Sequence, residues 1–136
     1  VENRPEHAEV GRENMSRAMN ALKEFPDWTL IEGDVADVSF DEIVEEFDAI
    51  ILDLPEPWPV ISALSKKLRY GGRIACYCPV SSQLEKAWEA CEEAGLKVDW
   101  AGEMMERVWT KASRGGVRPG NTPMGHTAFL LIAERT

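Results

Sequence analysis

An apolar run that ends on an acid and then meets prolines constrains this chain more than any other stretch. Phe47–Asp53 is apolar at nearly every position, as a strand covered on both faces of a parallel sheet should be. The segment Leu54-Pro55-Glu56-Pro57-Trp58-Pro59 that follows cannot extend it. Each proline fixes φ and has no amide proton to donate to a ladder. In open α/β sheets, ligands collect just beyond the carboxyl ends of the strands. Asp53 therefore stands where chemistry is expected, on a loop stiffened by Pro55, Pro57 and Pro59. The same pattern also fits a plain capped strand, with Asp53 as a turn acceptor.

Around this run, helical and extended patterns alternate. Asn3 can cap a helix with Pro5 in its first turn and Glu6 at its third position. Ala8, Gly11, Met15, Ala18 and Leu22 continue it at helical spacing until Pro26. Trp28–Glu32 reads as a short strand, turned by Gly33-Asp34, and Phe40–Glu46 as a brief helical segment. Val60, Ala63, Leu64 and Leu68 predict a second helix, closed by Tyr70-Gly71-Gly72. Arg73–Cys78 is the next strand. Ser81 or Ser82 can cap a third helix that turns Leu84, Ala87, Trp88 and Cys91 inward and ends at Gly95. Leu96–Trp109 holds one long strand or two shorter ones, 110–124 a loop, and Thr127–Ala133 the last strand. This alternation predicts a Rossmann-like α/β sheet, mostly parallel. The two closing strands have no helix between them, so they predict an antiparallel edge hairpin. No G-x-G-x-x-G occurs in the chain, nor does any internal repeat or low-complexity segment.

With 136 residues the chain is read as one domain, 1–136, large enough for a real core. No apolar run reaches the ~20 residues of a membrane span, so no membrane partner is expected. Cys76, Cys78 and Cys91 lack metal-ligand spacing and read as buried thiols of a reducing, cytoplasmic protein, with no metal. Alternation puts Tyr77 on the opposite strand face from Cys76 and Cys78.

The net charge of −9 argues against a protein that binds nucleic acid over its whole surface. The charge is uneven, however. Residues 1–106 carry 10 basic and 23 acidic side chains, residues 107–136 carry 5 basic and 1 acidic. Arg107, Lys111, Arg114 and Arg118 lie in this acid-poor, glycine-containing stretch, which suits either a phosphate backbone or a solvated loop.

Several of these stretches together carry a family resemblance. They are V-E-N-R-P-E-H-A-E-V-G-R-E-N (1–14), G-D-V (33–35), L-D-L-P-E-P-W (52–58), G-G-R-I-A-C-Y-C-P (71–79) and R-P-G-N-T-P-M-G-H-T-A-F-L (118–130). In this order the chain resembles the S-adenosylmethionine-dependent tRNA (adenine-N1)-methyltransferases of archaea and bacteria, which modify the T-loop region. The proline-rich acidic motif and the R-P…G-H-T-A-F-L ending are specific, whereas G-D and an acid at a strand end are generic to class I methyltransferases.

The resemblance implies a seven-stranded sheet with an antiparallel last strand, a cytoplasmic homotetramer, and S-adenosylmethionine and tRNA as partners. It also implies that the family's small β-domain, first sheet strand and glycine loop lie outside this chain, which then reads as the C-terminal part of the catalytic domain.

Residue by residue, Glu2 matches the acid that accepts from both ribose hydroxyls of the cofactor. Asp34 matches the acid that takes the adenine amino group, with Val35 packing beside it. Asp53 matches the catalytic acid, which also borders the cofactor, and Tyr77 the tyrosine lining the target-base pocket. His126 is implied in shaping the RNA-binding region rather than as a base. Arg107, Lys111, Arg114 and above all Arg118, in the R-P motif, are implied tRNA phosphate contacts.

Three rival readings stay open. An exocyclic-amino methyltransferase would carry an aromatic residue where this chain has Glu56. A non-catalytic partner subunit would have no need of Asp53. A nicotinamide dehydrogenase would show a glycine fingerprint.

Overall fold

The first helix begins where a proline allows it. In the computed structural model, which describes residues 1–41, 43–120 and 127–136, α1 spans Pro5–Ala21 with Pro5 in its first turn. Its N-cap is Arg4, not the expected Asn3. A proline is best tolerated at the first helical position, and that moves the cap to the residue just before it. The described residues form two compact units, Val1–Glu45 and Glu46–Thr136.

Within the first unit, the expected strand at Trp28–Glu32 is reduced to a single parallel bridge between Glu2 and Glu32. The Glu2 amide donates to the Ile31 carbonyl and the Gly33 amide to the Glu2 carbonyl, both at 3.0 Å. In the expected helical segment Phe40–Glu46, the Ile43 and Val44 amides both donate to the Phe40 carbonyl, at 3.1 and 3.0 Å.

The second unit contains β1 (Phe47–Leu52), α2 (Trp58–Ser65), β2 (Leu68–Cys78), α3 (Ser81–Glu93), β3 (Lys97–Gly102), β4 (Trp109–Lys111), β5 (Val117–Pro119) and β6 (Phe129–Glu134). Four strands form one sheet in the order β1-β2-β6-β3. β1 and β2 pair in parallel, and β6 runs antiparallel to both β2 and β3. The first three strands thus point one way and β6 the other, which gives the mostly parallel α/β sheet with an antiparallel closing pair that was expected.

One face of this sheet is the core. Leu52, Ile74, Cys76, Cys78, Leu131 and Ala133 are buried there, together with Val60, Ile61 and Leu64 of α2 and Ala87 and Cys91 of α3. The opposite row, read across the ladders, is Ile51, Ala75, Ile132 and Trp100. Ile51 in that row is 79% exposed. The near-continuous apolar character of β1 therefore does not place it centrally among the described strands, since it forms one edge of the sheet.

Two further differences have local causes. Gly71 and Gly72 do not close α2, because they lie inside β2. The β1–β2 register jumps there, with Phe47 opposite Leu68 but Ala49 opposite Arg73. A Cβ on Gly72 would stand 2.8 Å from the Arg69 carbonyl oxygen and 3.2 Å from those of Phe47 and Asp48. The pair is thus a bulge that only glycine fits. The expected loop 110–124 contains the β4–β5 hairpin, whose Ala112–Gly116 turn takes Gly115 and Gly116 through φ values of +90° and +81°.

The end of α3 agrees with the sequence reading. Gly95 has φ +75°, its amide donates to Glu92, and the Leu96 amide donates to Cys91. That is the Schellman pattern, with buried Leu96 over the last turn.

Candidate active site

Asp53 and Tyr77 come from neighbouring strands that end side by side. Leu52 is paired with Cys76, so the next position along each strand sets Asp53 level with Tyr77. Leu52 and Cys76 point into the core, and alternation sends Asp53 and Tyr77 to the open face. Asp53 is exposed and Tyr77 is 43% exposed. A carboxylate and a phenol thus share the carboxyl end of two parallel strands.

The loop after Asp53 is held from several sides. Pro57 is fully buried and caps α2. Lys86 of α3 places its Nζ 4.6 Å from the centre of the Trp58 ring, a cation–π contact that assigns Trp58 to packing. Gln83, a residue the sequence reading did not single out, donates from Nε2 to the Pro55 carbonyl at 2.8 Å. Its Oε1 accepts from the Val80 amide at 3.1 Å. Neither Ser81 nor Ser82 caps α3, because the cap position falls on Val80 and Gln83 stands three residues on. The signal was present as the spacing of an N-cap and a third-position glutamine. Its second partner was invisible, because a backbone carbonyl leaves no mark in the side-chain pattern.

Glu2, Asp34 and Val35 lie in the first unit. The parallel bridge runs the Glu2 and Asp34 segments side by side and brings both acids toward the same carboxyl end. Glu2 Oε1 accepts from the Arg4 amide at 3.0 Å and from Arg4 Nε at 3.2 Å. Those bonds, backbone first and side chain second, hold its carboxyl below the ordinary glutamate value. Asp34 Oδ1 accepts from the Ala36 amide at 2.9 Å and so closes an Asx turn.

In each acid the bonds that fix the side chain fall on one oxygen, and the second oxygen can accept from a ligand. A ribose diol and an aromatic amine both offer such donors. Gly33, between the bridge and Asp34, has φ +147°, a conformation that side chains rarely adopt. Val35 is half-buried.

The basic set is divided. Arg107, Lys111, Arg114 and Arg118 are all exposed. In the hairpin, however, Thr110 pairs with Arg118 and Lys111 with Val117, so Lys111 and Arg118 face opposite sides and Arg114 sits in the turn. Trp109 shares the Lys111 face and is 59% exposed. His126 lies outside the described residues.

Cys76, Cys78 and Cys91 are buried free thiols. The Cys76 thiol is pushed up by its hydrogen bond with Cys91 and by burial, which keeps it from acting as a nucleophile. Among the described residues, no group of three or more histidine, cysteine or acidic side chains is arranged to hold a metal ion, and no helix is long and apolar enough to cross a membrane.

Comparison with known proteins bears on the fold and the family. The family described as the tRNA methyltransferase complex GCD14 subunit matches residues 10–114. A relative from Methanocaldococcus jannaschii, named tRNA (adenine(57)-N(1)/adenine(58)-N(1))-methyltransferase TrmI, is 35% identical over 96% of this chain and 53% of its own length. Among solved structures, the tRNA (m1A58) methyltransferase TrmI from Aquifex aeolicus superposes with a TM-score of 0.77 at 21% identity, over 98% of this chain and 51% of that one. An S-adenosylmethionine-dependent O-methyltransferase from Thermotoga maritima superposes with a TM-score of 0.72 at 24% identity, over 98% and 47%. These two likenesses show the methyltransferase fold. The chain spans about half the length of the Methanocaldococcus relative, and less of matching relatives from Schizosaccharomyces pombe and Thermus thermophilus. On the family match and the Methanocaldococcus identity, the chain belongs to the family of the tRNA methyltransferase complex GCD14 subunit.

Proposed function

We propose that the protein carrying this chain transfers a methyl group from S-adenosylmethionine to N1 of an adenine in the T-loop region of tRNA, with residues 1–136 as part of one class I catalytic domain. The observation that carries the reading is the placement of Asp53 level with Tyr77, at the ends of adjacent parallel strands, in a chain of this family. The name of the Methanocaldococcus relative supports the choice of base and atom. When bound, S-adenosylmethionine supplies an electrophilic methyl on a sulfonium.

Glu2 would accept from the ribose hydroxyls, and Asp34 from the adenine amine of the cofactor, beside Val35. Adenine N1 carries a free lone pair at neutral pH, so Asp53 need not act as a strong base. The product is a cation at that pH. A carboxylate aimed at the base edge stabilises the positive charge that grows in the transition state. It also accepts from the exocyclic amine and so fixes the base in line. Tyr77 lines the pocket that receives the base, which must leave the tRNA stack to reach it.

Arg118, with Arg107, Lys111 and Arg114, would meet backbone phosphates, and His126 belongs with them through the Gly-His-Thr motif. The strongly acidic remainder of the chain calls for further basic surface from the rest of the protein or from partner copies. A cytoplasmic homotetramer follows from the family resemblance, and the buried free cysteines suit a reducing compartment.

Asp53→Ala in the intact enzyme tests the assignment. Methyl transfer to unmodified tRNA is expected to slow by roughly one to three orders of magnitude, the weight of a lost transition-state contact. Affinity for S-adenosylhomocysteine should stay near wild type. Unchanged turnover would remove Asp53 from the mechanism.

A further inference from the structure

We infer that Gln83 is a positioning residue for methyl transfer: its side-chain amide clamps the loop after Asp53 to the start of α3. The inference rests on the reaction proposed above. The two functions of the amide are separate in the structure. Oε1 accepts from the Val80 amide and closes the first turn of α3. Nε2 donates to the carbonyl of Pro55, two residues beyond Asp53.

Pro55 is exposed, whereas Pro57 is fully buried. A proline offers only its carbonyl to a partner, so a side-chain donor is the natural way to hold it. Lys86, one turn further along α3, holds the far end of the same loop through Trp58. The first two turns of α3 thus grip the Asp53 loop at Pro55 and Trp58, while α3 itself leads out of β2, the strand of Tyr77. Through Gln83, the backbone that follows Asp53 is tied to the connection that follows Tyr77.

Carboxylate and phenol then keep a fixed spacing around the incoming base. Small displacements of positioned groups are costly in rate, up to about a hundredfold for 1 Å.

Gln83→Glu separates the clamp from the cap. A glutamate at this position still accepts from the Val80 amide, and its charge suits a helix N-terminus. It cannot donate to Pro55, and it sets a carboxylate against a carbonyl oxygen. The variant is therefore expected to keep the wild-type melting temperature and the wild-type affinity for S-adenosylhomocysteine. Its kcat for tRNA methylation should fall roughly ten- to a hundredfold. Independently of turnover, the Pro55 carbonyl carbon should shift upfield in NMR spectra, as a carbonyl does when it loses its donor. Gln83→Ala, which loses both bonds, should lower stability as well as kcat.

A Gln83→Glu enzyme with wild-type kcat would overturn the inference, whether or not the Pro55 resonance shifts. An unchanged Pro55 carbonyl resonance would overturn the clamp itself. If wild-type enzyme methylates no tRNA adenine, the reaction proposed above fails, and with it any positioning role in that reaction. The Pro55 resonance still reports separately on the clamp.

Discussion

Glu2 and Asp53 are both acids at the ends of extended segments, and their surroundings differ. Asp53 is exposed on the open face beside Tyr77, which suits a group that must meet a large substrate. Glu2 is tied to Arg4, and that tie keeps its carboxyl below the ordinary glutamate value of 4.5. The sign of the consequence is definite. A lowered value leaves the carboxylate ionised at every pH above the ordinary one, so if Glu2 takes the ribose as proposed, that binding loses nothing as pH falls from 8 to 5. Affinity for S-adenosylhomocysteine in the intact enzyme, followed by calorimetry, should be flat over that window and weaken only below it. Glu2→Gln should lower affinity at least about tenfold at all these pH values, because a bond to a charged acceptor is replaced by a neutral one. Affinity that declines between pH 6 and 5 would contradict the assignment. Asp53 was legible in the sequence because an apolar run and three prolines surround it. Gln83 was not, because the contact that matters joins residues 28 positions apart and ends on a backbone carbonyl.

Among the elements, β2 shows most plainly what a sequence pattern conceals. Tyr70-Gly71-Gly72 carries the signature of a helix end, and a helix does precede it. The structure uses the pair otherwise: Gly71 takes φ +73° and Gly72 passes close to three carbonyl oxygens at the β1–β2 bulge. Local glycine chemistry is the same in a helix cap and a bulge, and only the neighbouring strand decides between them. Gly72→Ala should therefore destabilise the protein by roughly 1–3 kcal/mol, the range for forcing an atom into a filled space. Chemical denaturation would measure it, and a loss below about 0.5 kcal/mol, ordinary for a tolerated surface change, would show that the bulge relaxes. The same limit explains the hairpin inside 110–124, whose three-residue strands are too short to show a period. Strand β6 and the end of α3 were legible because buried Leu131 and Ala133, and the terminal Gly95, sit where the pattern puts them, whereas the apolar run of β1 marks a strand but not its burial, since only Leu52 in it is buried.

At the scale of the whole molecule, charge separates the chain as clearly as packing does. The acid-rich first 106 residues are unsuited to a phosphate backbone, and four of the five basic side chains in residues 107–136 lie on or beside one hairpin. Composition revealed that asymmetry. It could not reveal that Lys111 and Arg118 face opposite sides, because that depends on the Thr110–Arg118 pairing. If Arg118 meets a phosphate, Arg118→Ala should weaken tRNA binding to the intact enzyme at every sequence and reduce the salt dependence of log K by about one counterion. A salt dependence equal to wild type would remove Arg118 from the interface. The central claim concerns the atom that receives the methyl group, and one measurement addresses it directly. Unmodified tRNA is incubated with the intact enzyme and S-adenosylmethionine, digested to nucleosides, and analysed by chromatography and mass spectrometry against authentic methyladenosines. The account predicts 1-methyladenosine arising from the T-loop region. A product methylated on the exocyclic amine, or no methylated adenosine at all, would contradict it.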